Sequence, residues 1–198
     1  MSALDASLDA SPDASPEAST AAPAAPPLTA EQLFARLAEL GIDTRTITHP
    51  PLFTVEDSQT LRGDIAGGHT KNLFLKDKKG NLFLVVVEEE ARVDLKNLHG
   101  PLGAASKLSF GSADLLEEVL GVKPGAVTAF APINDRQGRV TVVLDIELMA
   151  FAEINCHPLV NTATTTIGRD DLVRFLRATG HEPIVMAVPR RADTLEQA

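Results

Sequence analysis

The sequence predicts an α+β domain in which helices surround a mainly antiparallel or mixed central sheet. Three observations lead to this prediction: strand-like runs outnumber helix-like ones, two of them form a hairpin, and no long linker divides residues 28–189. The chain has 198 residues, 44% of them hydrophobic, which is enough for one domain with its own core. No apolar run approaches the length needed to span a bilayer.

Residues 1–27 are predicted to be a disordered tail. The repeats LDAS, LDAS, PDAS and PEAS fill residues 4–19, and TAAPAAPP follows them. Every charge in this stretch is acidic and large apolar side chains are few, so the segment cannot bury enough surface to offset the entropy lost on ordering. Residues 190–198 are predicted to be a flexible C-terminus, which leaves residues 28–189 as one domain.

Helix signals are local and clear. Thr29-Ala-Glu-Gln32 fits a capping box, and leucines then recur at helical spacing until Gly41. Ser112 is a typical N-cap for a second helix, which Gly121 closes. The predicted helices cover residues 29–40, 55–61, 112–120 and 170–178.

The strand signals centre on a hairpin. Two apolar runs, Leu73–Leu75 and Leu82–Val87, flank the polar turn Asp77-Lys78-Lys79-Gly80. The remaining predicted strands cover residues 44–48, 139–146, 151–155, 160–167 and 184–188.

Composition excludes several classes of function. The net charge of −9 argues against electrostatic binding of nucleic acid over a broad surface, and so against a DNA-binding protein. It still allows a local basic patch. Tyr and Trp are absent, which argues against aromatic platforms for bases. Cys156 is the single cysteine and no secretory signal is visible, so we expect a cytoplasmic protein without disulfides and without membrane attachment.

Common catalytic and cofactor motifs are missing. The sequence contains no GxxxxGK[ST], no GxGxxG after a strand, no GxSxG and no HExxH. The five histidines are scattered without the paired spacing of metal ligands. We therefore expect neither a metal site nor a cofactor.

The pair Cys156-His157 suggests a thiol nucleophile with its base, but neighbouring side chains in an extended segment point to opposite faces. A buried structural cysteine is the favoured interpretation. His157 also precedes the polar run Asn161-Thr-Ala-Thr-Thr-Thr166, for which two interpretations stay open. The run either lines a polar cleft or is an exposed edge strand rich in threonine.

Lys71-Asn72 stands at the entrance to the hairpin, directly after Gly67, Gly68 and Thr70. The lysine either extends its ammonium into water at a strand end or forms an anion or oxyanion site, because glycines let a ligand approach the backbone. Three further lysines lie at the hairpin tip, where they form a solvated turn or a small phosphate-contacting patch: Lys76, Lys78 and Lys79.

Four segments together carry a family resemblance: His49-Pro-Pro-Leu-Phe-Thr-Val-Glu56, Gly68-His-Thr-Lys-Asn-Leu-Phe-Leu75, Gly121-Val-Lys-Pro-Gly125 and Cys156-His-Pro-Leu-Val-Asn-Thr162. This combination resembles the YbaK/ProX family of freestanding prolyl-tRNA editing domains, and two of the segments resemble its ProXp-ala branch. The resemblance implies a YbaK-like editing fold that hydrolyses mischarged Ala-tRNA(Pro) in trans. It also implies the acceptor end of mischarged tRNA(Pro) as partner and allows contact with prolyl-tRNA synthetase.

The resemblance places the family's essential lysine on Lys71, its neighbouring asparagine on Asn72 and its pocket histidine on His157. Direct attack by water is expected, because no side chain is a convincing nucleophile. The residues that the resemblance assigns to substrate binding are Phe53, Thr54, Gly121, Pro124, Gly125 and Asn161.

Two other functions remain open from the sequence. One is a deacylase for another mischarged tRNA, carrying Cys or Ser. The other is a non-catalytic module that binds tRNA or the synthetase.

Overall fold

The computed structural model describes residues 25–51 and 65–191, which form eight strands and four helices. The strands are β1 (Thr44–Thr48), β2 (Gly68–Lys76), β3 (Leu82–Glu88), β4 (Ser109–Phe110), β5 (Val140–Asp145), β6 (Glu153–Cys156), β7 (Ala163–Gly168) and β8 (Ile184–Met186). The helices are α1 (Ala30–Glu39), α2 (Leu95–Leu98), α3 (Ala113–Leu120) and α4 (Arg169–Ala178). None of the helices in these two ranges has the length and apolarity to cross a bilayer.

The strands form one mixed sheet in the order β1-β7-β6-β2-β3-β5-β8, and β4 pairs with the end of β2. The pairs β1/β7, β6/β7, β2/β3 and β2/β4 are antiparallel. The pairs β2/β6, β3/β5 and β5/β8 are parallel. The β2/β6 pairing, at the centre of the sheet, covers only Gly68↔Ile154 and His69↔Asn155. The predicted α+β class with a mixed sheet is confirmed.

The two faces of the sheet bury separate apolar clusters. The larger cluster packs α1, α3 and α4 onto one face, and we call this the helical face. At its centre Phe130 meets Phe175 edge to face, with ring centroids 5.4 Å apart. The smaller cluster covers part of the opposite face and includes Leu75, Leu98 and Val143. We call this opposite side the cleft face.

Local capping explains where the helices begin and end. The capping box of α1 is present, with Thr29 accepting from the Gln32 amide and the Gln32 side chain accepting from the Thr29 amide. Ser112 caps α3, and Gly121 ends it in the left-handed region at φ 64°. These helix predictions are confirmed.

The remaining differences are short elements and strand ends. The sequence does not predict α2 or β4, which have four and two residues and so carry no recognisable period. β6 begins at Glu153 rather than at residue 151, because Phe151 follows a short 3-10 turn. The predicted helix over residues 55–61 lies outside the described residues.

Contacts with the domain reach the residues next to both predicted boundaries. Pro26 accepts a hydrogen bond from Arg136 at 3.2 Å, so contacts with the domain begin inside the segment predicted as a tail. At the other end, Arg190 forms an antiparallel bridge with Val93. Pro26 and Arg190 therefore both contact the domain, Pro26 through an arginine side chain and Arg190 through a backbone bridge.

Candidate active site

Strand alternation brings Lys71 and His157 onto the same face of the sheet. Leu75, four residues after Lys71, belongs to the smaller cluster, so Lys71 also points to the cleft face. In β6, Ile154 and Cys156 belong to the larger cluster, which leaves His157 on the cleft face. The parallel pairing of β2 and β6 places these two segments side by side.

Two backbone carbonyls fix the Lys71 ammonium. Its Nζ donates to Glu89 O at 2.9 Å and to Ala91 O at 2.5 Å, both in the turn that follows β3. An ammonium has three N–H donors, so these bonds leave one for a ligand. Burial lowers the pKa of Lys71, as does Arg190, while Glu88 and Glu89 act in the opposite direction.

The His157 ring is held as a single neutral tautomer. Its Nδ1–H donates to Ala163 O at 2.9 Å, because a carbonyl oxygen can only accept. Nε2 therefore carries the lone pair. Burial lowers the pKa of His157, and neighbouring His49 lowers it further, against the opposing effects of the Ala163 carbonyl and Glu89. Glu89 therefore acts electrostatically on both His157 and Lys71.

Asn72 does not share this face. Because it is adjacent to Lys71 in β2, its side chain points to the helical face. There Asn72 Nδ2 lies 3.4 Å from Thr70 Oγ1, which in turn donates to Asn155 O at 2.8 Å. The Asn72 side chain is thus linked through Thr70 to β6, the strand that leads to His157.

The threonine-rich run forms an inner strand. β7 lies between β1 and β6, so the edge-strand interpretation is wrong. Its hydroxyls are paired: Thr164 with His49 Nε2 at 3.0 Å, Thr165 with Thr46 at 2.9 Å, and Thr166 with Asn155 at 2.7 Å. Thr164 and Thr166 stand on the cleft face beside His157 and Asn155, as cross-strand neighbours must.

Cys156 is a buried thiol of the larger cluster. Burial raises its pKa to about 12, against hydrogen bonds from Thr70 and Ala129 that act the other way. The thiol is therefore protonated and enclosed. The prediction that Cys156 is a structural residue, on the opposite face from His157, is confirmed.

A cleft of about 530 Å³ opens beside Lys71 on the cleft face. Its described lining consists of Lys71, Leu73, Ala91, Arg92, Val93, Leu95, Phe110 and Arg191. This volume is typical of a small-ligand site, which falls in the range of roughly 300–1,000 Å³. The lining contains three cationic side chains although the chain as a whole is acidic.

The two glycines of the segment Gly121-Val-Lys-Pro-Gly125 lie in different parts of the structure. Gly121 lines a second cavity, of about 320 Å³, where a Cβ would lie 2.4 Å from Pro27 Cβ and 2.7 Å from Asn134 Nδ2. Gly125 lies near Asn161, with 3.9 Å between an added Cβ and the Asn161 amide nitrogen. Pro124, between the two glycines, is exposed. Phe53 and Thr54 lie outside the described residues.

Sequence reasoning overlooked several residues of this face. His49 enters the sequence analysis only as the first residue of one motif, yet its ring centroid lies 6.3 Å from that of His157. Arg92, Phe110 and Arg191 carry no motif, and only folding brings them together. Within the described ranges, no three His, Cys, Asp or Glu side chains are grouped as metal ligands.

Comparison with known proteins identifies the family. Residues 49–175 match the family model described as an aminoacyl-tRNA editing domain. The chain is 42% identical over 153 residues to prolyl-tRNA synthetase associated domain-containing protein 1 of Danio rerio, covering 76% of this chain and 83% of that protein. It is 36% identical over 152 residues to the prolyl-tRNA editing protein ProX of Acetoanaerobium sticklandii, covering 76% and 92% of the two chains.

The fold also matches a solved structure. A candidate trans-editing enzyme for prolyl tRNA synthetase superposes with a TM-score of 0.64 at 19% identity, covering 87% of this chain and 100% of that one. At this identity the match concerns the fold alone. The family model and the curated relatives together establish that the chain belongs to the aminoacyl-tRNA editing domain family, the YbaK/ProX group that its motifs resemble.

Proposed function

We propose that this protein is a trans-editing deacylase that hydrolyses the ester of mischarged Ala-tRNA(Pro) and spares Pro-tRNA(Pro). The observation that carries the proposal is the ammonium of Lys71, held by two carbonyls on the same face as the Nε2 lone pair of His157. The names of the relatives in Danio rerio and Acetoanaerobium sticklandii support a substrate related to prolyl-tRNA.

In the proposed reaction, water attacks the ester carbonyl carbon directly. The new C–O bond forms a tetrahedral intermediate, and the bond to the ribose oxygen then breaks. The ribose oxygen leaves with a proton, so the products are alanine and free tRNA(Pro). An aminoacyl ester is already activated, and its hydrolysis therefore needs placement of water and charge more than a strong base.

Lys71 supplies the positive charge in this scheme. The carbonyls of Glu89 and Ala91 orient its ammonium before substrate arrives, so little reorganisation is needed when charge develops. The remaining N–H stabilises negative charge on the oxyanion or on the terminal phosphate.

His157 orients the water. Ala163 O fixes the ring through Nδ1–H, and Nε2 accepts a hydrogen bond from the attacking water. The buried, neutral imidazole acts here as an acceptor and not as a cation.

Asn72 acts as a positioning residue. Its contact with Thr70, and the Thr70 bond to Asn155 O, tie β2 to β6 and so fix Lys71 relative to His157. Thr70→Val removes this link without touching the cleft face. We expect it to lower kcat while KM changes little, whereas a merely structural role would lower the melting temperature and leave kcat of the folded enzyme unchanged.

Selectivity against proline follows from size. A synthetase site shaped for proline cannot strongly reject alanine, because each missing methylene forfeits only about 1–3 kcal/mol of binding. A second site that admits only small side chains supplies the discrimination. The resemblance assigns Gly125 and Asn161 to this pocket, and the two residues lie near each other in the structure. Phe53 and Thr54 are proposed to contribute the rest of its wall. We place this activity in the cytoplasm, where the acceptor end of tRNA(Pro) and prolyl-tRNA synthetase are available.

Single-turnover deacylation of Ala-, Ser-, Cys- and Pro-tRNA(Pro) tests the proposal. We expect fast hydrolysis of the alanine ester, slower hydrolysis of the serine ester and negligible hydrolysis of the proline ester. Comparable rates on alanine and proline esters contradict size exclusion. Faster cleavage of the cysteine ester assigns the chain to a different editing branch, and no turnover of any ester contradicts deacylation itself.

A further inference from the structure

The strands that carry Lys71 and His157 belong to two groups within the sheet. The His157 group consists of β1, β7 and β6, and the Lys71 group consists of β2, β3, β4, β5 and β8. Among the described strands, the two groups meet at the β2/β6 pairing, which has two residue pairs. By comparison, β1 and β7 share five pairs, and β2 and β3 share seven. The position of the ammonium relative to the imidazole therefore depends on contacts that strengthen this short pairing.

The side chain of Asn155 makes such a contact. The residue lies in β6 and is 3% exposed. Its Nδ2 donates to Ala66 O at 3.0 Å, just before β2 begins, and its Oδ1 accepts from the Thr166 hydroxyl of β7 at 2.7 Å. One buried amide thus ties the interior of the His157 group to the chain that enters β2.

The two partners of Asn155 require an amide at this position. The Ala66 carbonyl can only accept, so the side chain must present its NH₂ group there and its oxygen to Thr166. A carboxylate of nearly the same shape has no donor for Ala66 and would place an oxygen against the carbonyl. Asn155→Asp is therefore a probe that changes this contact and keeps the side-chain size.

Gly67 and Gly68 give room for the approach of β6. A Cβ added at Gly67 would lie 2.7 Å from Glu153 O and 3.2 Å from Asn155 Nδ2. A Cβ added at Gly68 would lie 2.7 Å from the ring of Phe151. The glycine pair thus serves the contact between the two strand groups.

We propose that Asn155 is a positioning residue that holds Lys71 in place relative to His157. The Thr70 hydroxyl, next to Lys71, donates to the Asn155 main-chain oxygen at 2.8 Å, so the main chain and the side chain of Asn155 both hold the entrance to β2. A misplacement of about 1 Å at a distant residue can cost roughly 100-fold in rate. The inference rests on the proposed function, in which the ammonium and the imidazole act on the same ester.

The kinetic test compares Asn155→Asp with a matched control, Thr165→Val. Thr165 is fully buried, and its hydroxyl pairs with Thr46 at 2.9 Å inside the His157 group. On Ala-tRNA(Pro), we expect Asn155→Asp to lower kcat by about 10- to 100-fold and to leave KM within about twofold. Thr165→Val should lower the melting temperature and keep the wild-type kcat.

A milder variant, Thr166→Val, serves if Asn155→Asp does not fold. It removes the hydroxyl that orients the Asn155 amide and keeps the amide itself. We expect the same pattern with a smaller loss of kcat, about 2- to 10-fold for one hydrogen bond. Melting temperatures identify the variants that are folded.

A double-mutant cycle with Lys71→Ala separates positioning from a general structural effect. Once the ammonium is absent, Asn155→Asp has no cation left to misplace and should lower kcat further by about twofold or less. A merely structural role would lower kcat by the same factor with and without Lys71. Equal factors in the two backgrounds, or a wild-type kcat in Asn155→Asp, overturn the proposal.

Hydrogen exchange tests the same contact without the reaction. In Asn155→Asp, peptides from residues 65–70 and 153–156 should exchange about 5- to 100-fold faster, the range for losing one buried hydrogen bond, while residues 82–87 of β3 should not change. Unchanged exchange in the first two peptides overturns the proposal. Faster exchange there in a protein that turns over no ester contradicts only the deacylase.

Discussion

The ring centroids of His49 and His157 lie 6.3 Å apart, with an angle of 54° between the ring planes. Each ring donates Nδ1–H to a backbone carbonyl, His49 to Pro50 O at 2.8 Å and His157 to Ala163 O at 2.9 Å. His49 Nε2 then accepts from the Thr164 hydroxyl. Burial opposes a proton on His157, and the neighbouring His49 ring opposes it as well.

The first prediction concerns pH. Because the pKa of His157 is lowered from 6.5, we expect kcat/KM for the alanine ester to stay level as pH falls to 6.5. It should fall only at lower pH, by up to about tenfold for each unit, as Nε2 gains a proton. The His157→Asn variant should have a much lower kcat/KM, and its pH profile should lack this acid limb. An acid limb centred above pH 6.5 in the wild type contradicts the prediction.

A thermodynamic control accompanies this profile. Below pH 6.5 the unfolded chain binds a proton at His157 more readily than the folded chain, so stability should fall as pH falls through this window. Above that pH both states hold neutral imidazole and the effect vanishes. Urea unfolding at pH 7.5 and 5.5 should show a smaller pH dependence for His157→Asn than for the wild type.

The second prediction concerns Lys71. We expect Lys71→Ala to lower kcat by about 10²- to 10³-fold, the usual cost of losing one oxyanion contact. Stability should change by about 1 kcal/mol or less, because the variant loses two hydrogen bonds and also the cost of burying a charge. Lys71→Arg is the control that keeps the positive charge. This variant should also lose activity, because a planar guanidinium does not reproduce an ammonium between two carbonyls. Rates near wild type in Lys71→Ala refute the site.

The third prediction concerns Cys156. A buried thiol with a pKa of about 12 carries almost no thiolate near pH 8, so N-ethylmaleimide should not react with the folded protein. Mass spectrometry should find the adduct only after denaturation, and deacylation should survive the reagent. Stoichiometric loss of activity on modification of the folded chain would instead indicate a thiol nucleophile.

The fourth prediction concerns Gly121. Alanine at this position must adopt φ 64° and place a Cβ 2.4 Å from Pro27. One left-handed residue costs about 1–2 kcal/mol. Because the steric contact adds to this cost, we expect Gly121→Ala to lower the free energy of unfolding by more than that amount. Gly103→Ala is the matched control, with φ 66° and nothing within 4 Å of its added Cβ.

Both glycine variants should keep the wild-type kcat/KM, because Gly121 lines the second cavity and not the cleft at Lys71. Chemical denaturation and deacylation assays check the two statements separately. A tenfold loss of kcat/KM in folded Gly121→Ala would instead indicate that Gly121 belongs to the substrate pocket.

The fifth prediction concerns the N-terminal segment. Removal of residues 1–24 retains the hydrogen bonds of Pro26 and Leu28, and we expect the melting temperature and deacylation not to change. Removal of residues 1–28 also deletes the bond from Leu28 N to Asn134 at 2.8 Å and the bond from Arg136 to Pro26. We expect this longer deletion to cost about 1–3 kcal/mol, at roughly 0.5–1.5 kcal/mol for each bond. Equal melting temperatures for the two truncations contradict this.

Local signals predicted most of the fold. The capping box at Thr29 and the glycine stop at Gly121 each depend on a few neighbouring residues, and both appear in the structure. By contrast, α2 and β4 are too short to show a periodic pattern of apolar residues. Tertiary contacts stabilise them: α2 packs Leu98 into the smaller cluster, and β4 pairs with the end of β2. Sequence patterns do not contain such long-range contacts.

The arrangement of the site was predicted only in part, although strand alternation alone places two of the predicted residues on opposite faces. Alternation separates Cys156 from His157, and the same argument separates Lys71 from Asn72. The partners of Lys71 are backbone carbonyls, which every residue possesses, so no residue type could have indicated them. Arg92 and Arg191 meet only through the bridge at Val93, and a search for motifs could not have found them.

The two-pair junction between β2 and β6 makes the site sensitive to insertion more than to substitution. Side-chain direction alternates along a strand, so a single added residue in β6 would turn His157 toward the helical core and present the Cys156 thiol to Lys71. Only Gly68↔Ile154 and His69↔Asn155 set this register. The position of His157 opposite Lys71 therefore depends on the residue count between Ile154 and His157.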